Sequence, residues 1–167
     1  IITLLFVLLT PLKNMYYLNI FKGQGSISVF IRLDLWKRIL AMIADYPFLG
    51  SGLSTYVPII GRYSKDFYPD TSYPHNSYLH ITAETGLVGL FAFIWIFINL
   101  FNAVHRCLRK TKINGKNNVE LIGIFSGLLA FLVHSFFDTN LTSLQLATSF
   151  WIVVALTVSS LKIREVG

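Results

Sequence analysis

Long apolar runs separated by short polar breaks fill the second half of this chain. Leu87–Val104 carries only Asn99 and Asn102 as polar side chains, and Leu121–Phe137 and Leu141–Leu161 are nearly as apolar. A helix needs roughly 17–25 such residues to cross a bilayer, so each run reads as a full span. Ile1–Leu12 is too short to cross alone and reads as the end of a truncated span. The pattern therefore predicts an all-α polytopic membrane protein. It has one partial and three full transmembrane helices, joined by a long external loop, residues 13–86.

That loop has a pattern of its own. Lys13–Ser28, with Gly23-Gln-Gly25-Ser26, reads as flexible. Val29–Asp45 has helical periodicity and stops before Pro47. At 100° per residue, Leu35, Ile39, Ile43, Trp36, Val29, Leu40 and Leu33 share one face, and Lys37, Asp34, Asp45 and Arg38 hold the other. Arg32 breaks the pattern by projecting between Ile39 and Ile43. Two glycines then punctuate Pro47-Phe-Leu-Gly50-Ser-Gly52-Leu53. Gly61–Pro74 is polar and aromatic and carries Arg62.

Composition supports the membrane reading. Apolar residues make up 54% of the chain and charged residues only 13%, against about 25% charged in soluble domains, and the mean hydropathy is +0.60. A net charge of +6 would suggest nucleic acid in a soluble protein. Here Arg106, Arg109, Lys110, Lys112 and Lys116 crowd one short loop, residues 105–120, and Lys162 and Arg164 follow the last span. No nucleic acid is implied. The positive-inside rule places that loop and the tail 162–167 in the cytoplasm, and 13–86 and the turn 138–140 outside. Cys107 has no second cysteine with which to form an internal disulfide.

Titratable groups gather at the outer ends of the spans. Arg32 suits a phosphate, because a guanidinium donates two hydrogen bonds at once and stays charged. A snorkelling arginine on an interfacial helix is the competing reading. His75 follows Pro74 and is expected in the first turn of a helix running into the span, where an imidazole can serve as general base or sit as an interfacial residue. His80 and Glu84 share a face at i, i+4, as a local helix pair. His75 points elsewhere, so no metal site is expected. His134 and Asp138 form a second i, i+4 pair, either functional or a boundary pair meeting outer water. Asn140-Leu-Thr142 is a formal glycosylation sequon.

Four blocks in order carry a resemblance: Arg32-Leu-Asp-Leu-Trp36, Pro47-Phe-Leu-Gly50-Ser-Gly52, His75-Asn76-Ser-Tyr-Leu79 and Glu84-Thr-Gly86. Together they resemble the O-antigen ligase and polymerase family of bacterial envelope enzymes, and His134-Ser-Phe-Phe-Asp138 fits more loosely. The resemblance covers residues 32–86. It implies a glycosyltransferase of the bacterial inner membrane that uses neither cofactor nor metal. The enzyme would move a glycan from an undecaprenyl-diphosphate carrier to an acceptor glycan or glycolipid, with its active loop on the periplasmic side. It further implies Arg32 at the diphosphate and His75 at the acceptor hydroxyl. Asn76, Arg62 and Glu84 are the accompanying substrate-binding candidates. The family has a further functional arginine upstream, with no counterpart here, and the chain is expected to be a C-terminal fragment. A non-enzymatic membrane protein, such as a transporter piece with an external lid loop, is the rival reading. It calls for charges near mid-membrane, which these spans lack.

Overall fold

The computed structural model describes residues 24–64, 73–110 and 116–166. The expected truncated span Ile1–Leu12, residues 13–23, part of the stretch 61–74 and the middle of the basic loop lie outside them. The described residues are helical and contain no strand. In chain order they form α1 (Gln24–Asp45), α2 (Tyr56–Ile60) continued by a 3-10 turn (Gly61–Tyr63), α3 (Ser77–Lys110), α4 (Lys116–His134), a second 3-10 turn (Asn140–Thr142) and α5 (Leu144–Val166). The chain divides into two units, residues 1–34 and 35–167.

In the first unit, α1 starts earlier than its periodicity suggests. Gln24 and Gly25, expected in a flexible segment, are already helical. Val29, Phe30 and Ile31 are exposed there, and Arg32 is half-buried. In the second unit the rest of α1 buries Leu35, Ile39 and Met42, an i, i+4, i+7 stripe. Leu40, expected on the apolar face, is 53% exposed. Ile39 and Met42 pack with Tyr56, Ile60 and Ala83 in one core cluster. A second cluster joins Leu100 and Val104 of α3, Leu121 and Leu128 of α4, and Phe150, Val154 and Leu161 of α5.

Two described helices are long and apolar enough to cross a membrane: Ser77–Arg109 and Leu144–Ile163. Only a small share of each is buried, and Phe91, Trp95, Trp151 and Ile152 face outward. A soluble core helix would bury them. The apolar part of α4, Val119–His134, is shorter. α4 ends at His134 rather than Phe137, because Ser135–Asp138 turns back toward α3. Two polar side chains within the apolar helices bond back to their own helix: Asn99 Nδ2 donates to Trp95 O (2.8 Å) and Thr157 Oγ1 to Val153 O (2.8 Å).

Candidate functional site

α3 is broken at Gly86, which has φ 71° and ψ −175°. The break interrupts the helical bonds from residues 87 and 88 to residues 83 and 84. The segment Pro47–Gly52 repairs it. Leu87 N–H donates to Pro47 O (2.8 Å) and Val88 N–H to Phe48 O (3.2 Å). Ser51 N–H and Gly52 N–H donate to Ala83 O and Glu84 O, both at 3.0 Å. Two lost helical bonds become four bonds to the loop, and all four backbone groups at the break are satisfied. The approach is so close that only glycine fits. A Cβ on Gly86 would overlap the Phe48 carbonyl and lie 2.6 Å from Gly50 N, and one on Gly50 would lie 2.5 Å from Thr85 N. Gly50 also has φ 68°. The second and fourth sequence blocks are thus the two halves of one backbone clamp.

The first and third blocks also meet. Trp36 Nε1 donates to Pro74 O (2.7 Å). Its ring packs edge-on against Phe136, with centroids 5.9 Å apart. Trp36 therefore holds both the residue before His75 and the turn after α4.

His75 lies just outside the helix rather than in its first turn. Asn76 is the cap: its Oδ1 accepts from Tyr78 N–H and Leu79 N–H, each at 3.0 Å, and only 2% of the residue is exposed. The cap leaves His75 in the left-handed region with φ 48°. That conformation is uncommon for a side chain other than glycine and concentrates at functional sites. Surrounding bonds hold it there. Ser77 N–H donates to Ser135 O (2.8 Å), Ser77 Oγ to Asp138 O (2.9 Å) and Tyr78 OH to Leu132 O (2.8 Å).

His75 Nδ1 is 3.1 Å from Asp138 Oδ1, with both side chains partly open to solvent. Partial burial pushes the Asp138 carboxyl up. The Thr139 N–H donated to Oδ1 (2.8 Å) and the His75 ring outweigh that, and the group ionises below its ordinary range. An ionised carboxylate only accepts hydrogen bonds, so Nδ1 carries a proton, and in the neutral imidazole Nε2 is then the nitrogen with the lone pair. No side-chain hydrogen bond joins His134 to Asp138, although His134 also helps to lower the Asp138 carboxyl. α4 has ended by then, and His134 Nδ1 pairs with Asn140 Nδ2 (2.7 Å). Asn140 is buried and engaged, which takes the sequon out of reach of a glycosylating enzyme.

Glu84 uses Oε1 to accept Tyr56 N–H (3.1 Å), anchoring the start of α2. His80 is 9% exposed, and its Nε2 stands 3.7 Å from Glu84 Oε1 with no hydrogen-bond partner. Arg62 is exposed in the first 3-10 turn. Arg32 belongs to the first unit. His75, Asn76, Arg62 and Glu84 belong to the second. Among the described residues, no three His, Cys, Asp or Glu side chains gather as a metal site. The His75–Asp138 pairing spans 63 residues, a separation that no local periodicity reveals.

A protein-family model described as O-antigen ligase matches residues 1–94, more than half of the chain. It contains all four blocks. No curated protein and no solved structure matches the chain.

Proposed function

The chain belongs to the O-antigen ligase family, and from that premise we propose that it transfers a glycan from a polyprenyl diphosphate to an acceptor hydroxyl at the outer face of the bacterial inner membrane. The observation that carries this reading is His75. It is strained, partly open, and oriented by an ionised carboxylate through Nδ1. Nε2 takes the proton of the acceptor hydroxyl as that oxygen forms its bond to the anomeric carbon. The bond from that carbon to the phosphate oxygen breaks, and the diphosphate leaves with the electron pair. Asp138 stabilises the imidazolium that forms. Arg32 balances charge on the departing diphosphate, a role supported by its lone place on an apolar helix face and by the block it opens. Asn76 sets the backbone that presents His75. Arg62 is exposed and free to meet a charged substrate, and Glu84 braces α2.

In this reading α3, α4 and α5 each cross the membrane. Residues 13–86 and 138–140 face the periplasm, and the basic loop 105–120 and the tail face the cytoplasm. The short α4 spans with help from its flanks. The diphosphate stays at the membrane surface because its lipid anchors it there, and the titratable groups stand at that level.

Purified protein in lipid nanodiscs, given a polyprenyl-diphosphate-linked glycan and a glycolipid acceptor, should form the glycan–acceptor product. Arg32→Lys should transfer poorly, because a point charge cannot copy a two-pronged donor. The exposed Lys37→Ala should transfer normally. Equal rates for Arg32→Lys and wild type at equal protein would remove Arg32 from the mechanism.

A further inference from the structure

A cavity of about 380 Å³ is lined in part by Tyr73 and Ser77, each two positions from His75 in the chain. Its lining mixes polar side chains, Ser54, Glu84 and Thr142 among them, with the apolar Val57, Ile81 and Leu141. Tyr73 stacks one face on Tyr56 at 6.0 Å, yet remains 42% exposed. The buried His80 also lines the cavity, and its Nε2 is unsatisfied beside Glu84. A buried polar group without a partner is costly unless a bound group takes up its capacity. Ser54 is held at φ 59°, a conformation ordinarily left to glycine.

We propose that this cavity is a monosaccharide subsite, taking one pyranose ring of the transferred or accepting glycan. This rests on the transferase reading of His75. A pyranose has an apolar face of C–H groups and a rim of hydroxyls, and a lining of mixed polarity offers partners for both. Ser54 and Thr142 meet ring hydroxyls, Glu84 accepts from one, and the exposed part of the Tyr73 ring takes the apolar face. The volume lies within the range of small-ligand pockets. A sugar seated there contacts Tyr73 and Ser77, which flank His75 in the chain. Glu84 and His80 have no other chemical task in the transfer step, and the subsite gives them one.

Two variants test it. Val57→Trp fills the cavity from an exposed position on α2. Ser54→Gly removes a hydroxyl while relieving the backbone, so a purely structural Ser54 predicts a protein that is more stable and otherwise unchanged. Binding is read by saturation-transfer NMR with the methyl pyranosides of glucose, galactose, rhamnose and N-acetylglucosamine, on protein in detergent. At least one should bind wild type and His75→Gly alike. It should lose the signal in Val57→Trp and bind about tenfold more weakly in Ser54→Gly, the loss of one hydrogen bond. In the transfer assay, the substrate whose KM rises in Ser54→Gly identifies the ring as donor or acceptor. No binding by any of the four, or binding that survives Val57→Trp in a folded protein, overturns the subsite. Binding intact with His75→Gly still transferring would leave the subsite standing and sink the transferase role of His75.

Discussion

Replacing Gly86 by alanine should dissolve the clamp that places the site. The new Cβ overlaps the Phe48 carbonyl, and the φ of 71° with ψ −175° is a glycine region, costing another residue about 1–3 kcal/mol. The chain has two escapes. It can keep the break and expel Pro47–Gly52, losing four backbone bonds. Or α3 can straighten through position 86, recovering two helical bonds and still losing the four. At about 1 kcal/mol net per bond, the cheaper escape costs about 2 kcal/mol. For a chain of this size that is roughly 4–8 °C in Tm. Gly127→Ala is the control. A Cβ there meets nothing within 4 Å, and alanine favours a helix interior by about 1 kcal/mol, so its Tm should hold or rise. Thermal unfolding in detergent reads both, and hydrogen exchange over residues 47–53 should accelerate only in Gly86→Ala. Matching Tm and exchange in the two variants would refute the clamp.

Asp138→Asn should cut glycan transfer at least about tenfold, because an amide no longer holds the imidazole as an ionised partner. The Asp138 carboxyl is lowered in the folded protein, so it stabilises the fold above about pH 4 and loses that effect as pH falls through the lowered value. The asparagine variant should therefore show a smaller fall in Tm between about pH 6 and pH 3, and an unchanged fall would contradict the pairing. Asn76→Ala should destabilise by about 1 kcal/mol through loss of the α3 cap, whereas Asn76→Ser should retain most of the stability; equal Tm values for the two would deny the capping role.

What the sequence made legible was whatever depends on local pattern. The apolar runs located α3, α4 and α5, and Pro47 marked the end of α1. The glycines of the second and fourth blocks were visible as turns, but their mutual contact was not, because it joins residues 32 to 40 positions apart. The same holds for Trp36 on Pro74 and for His75 on Asp138. His134 and Asp138 still interact through charge, but α4 stops at His134 and its ring pairs with Asn140. The position of His75 was misread by two residues. Pro74 looked like a helix start, while Asn76 was the stronger cap and pushed the histidine out into a left-handed turn. The clamp, Trp36 on Pro74 and His75 on Asp138 are tertiary contacts, whereas the His75 position turned on a choice between two local signals.

The most direct test is the transfer rate of His75→Gly against wild type. Glycine accepts the φ of 48° without strain, so this variant removes the imidazole and keeps the fold. Both proteins should be compared in nanodiscs at equal Tm-verified concentration, with donor binding measured in the same samples. Loss of the base should slow transfer by about 10²–10⁴-fold, with donor binding retained. Transfer at the wild-type rate in a folded His75→Gly protein would contradict the account.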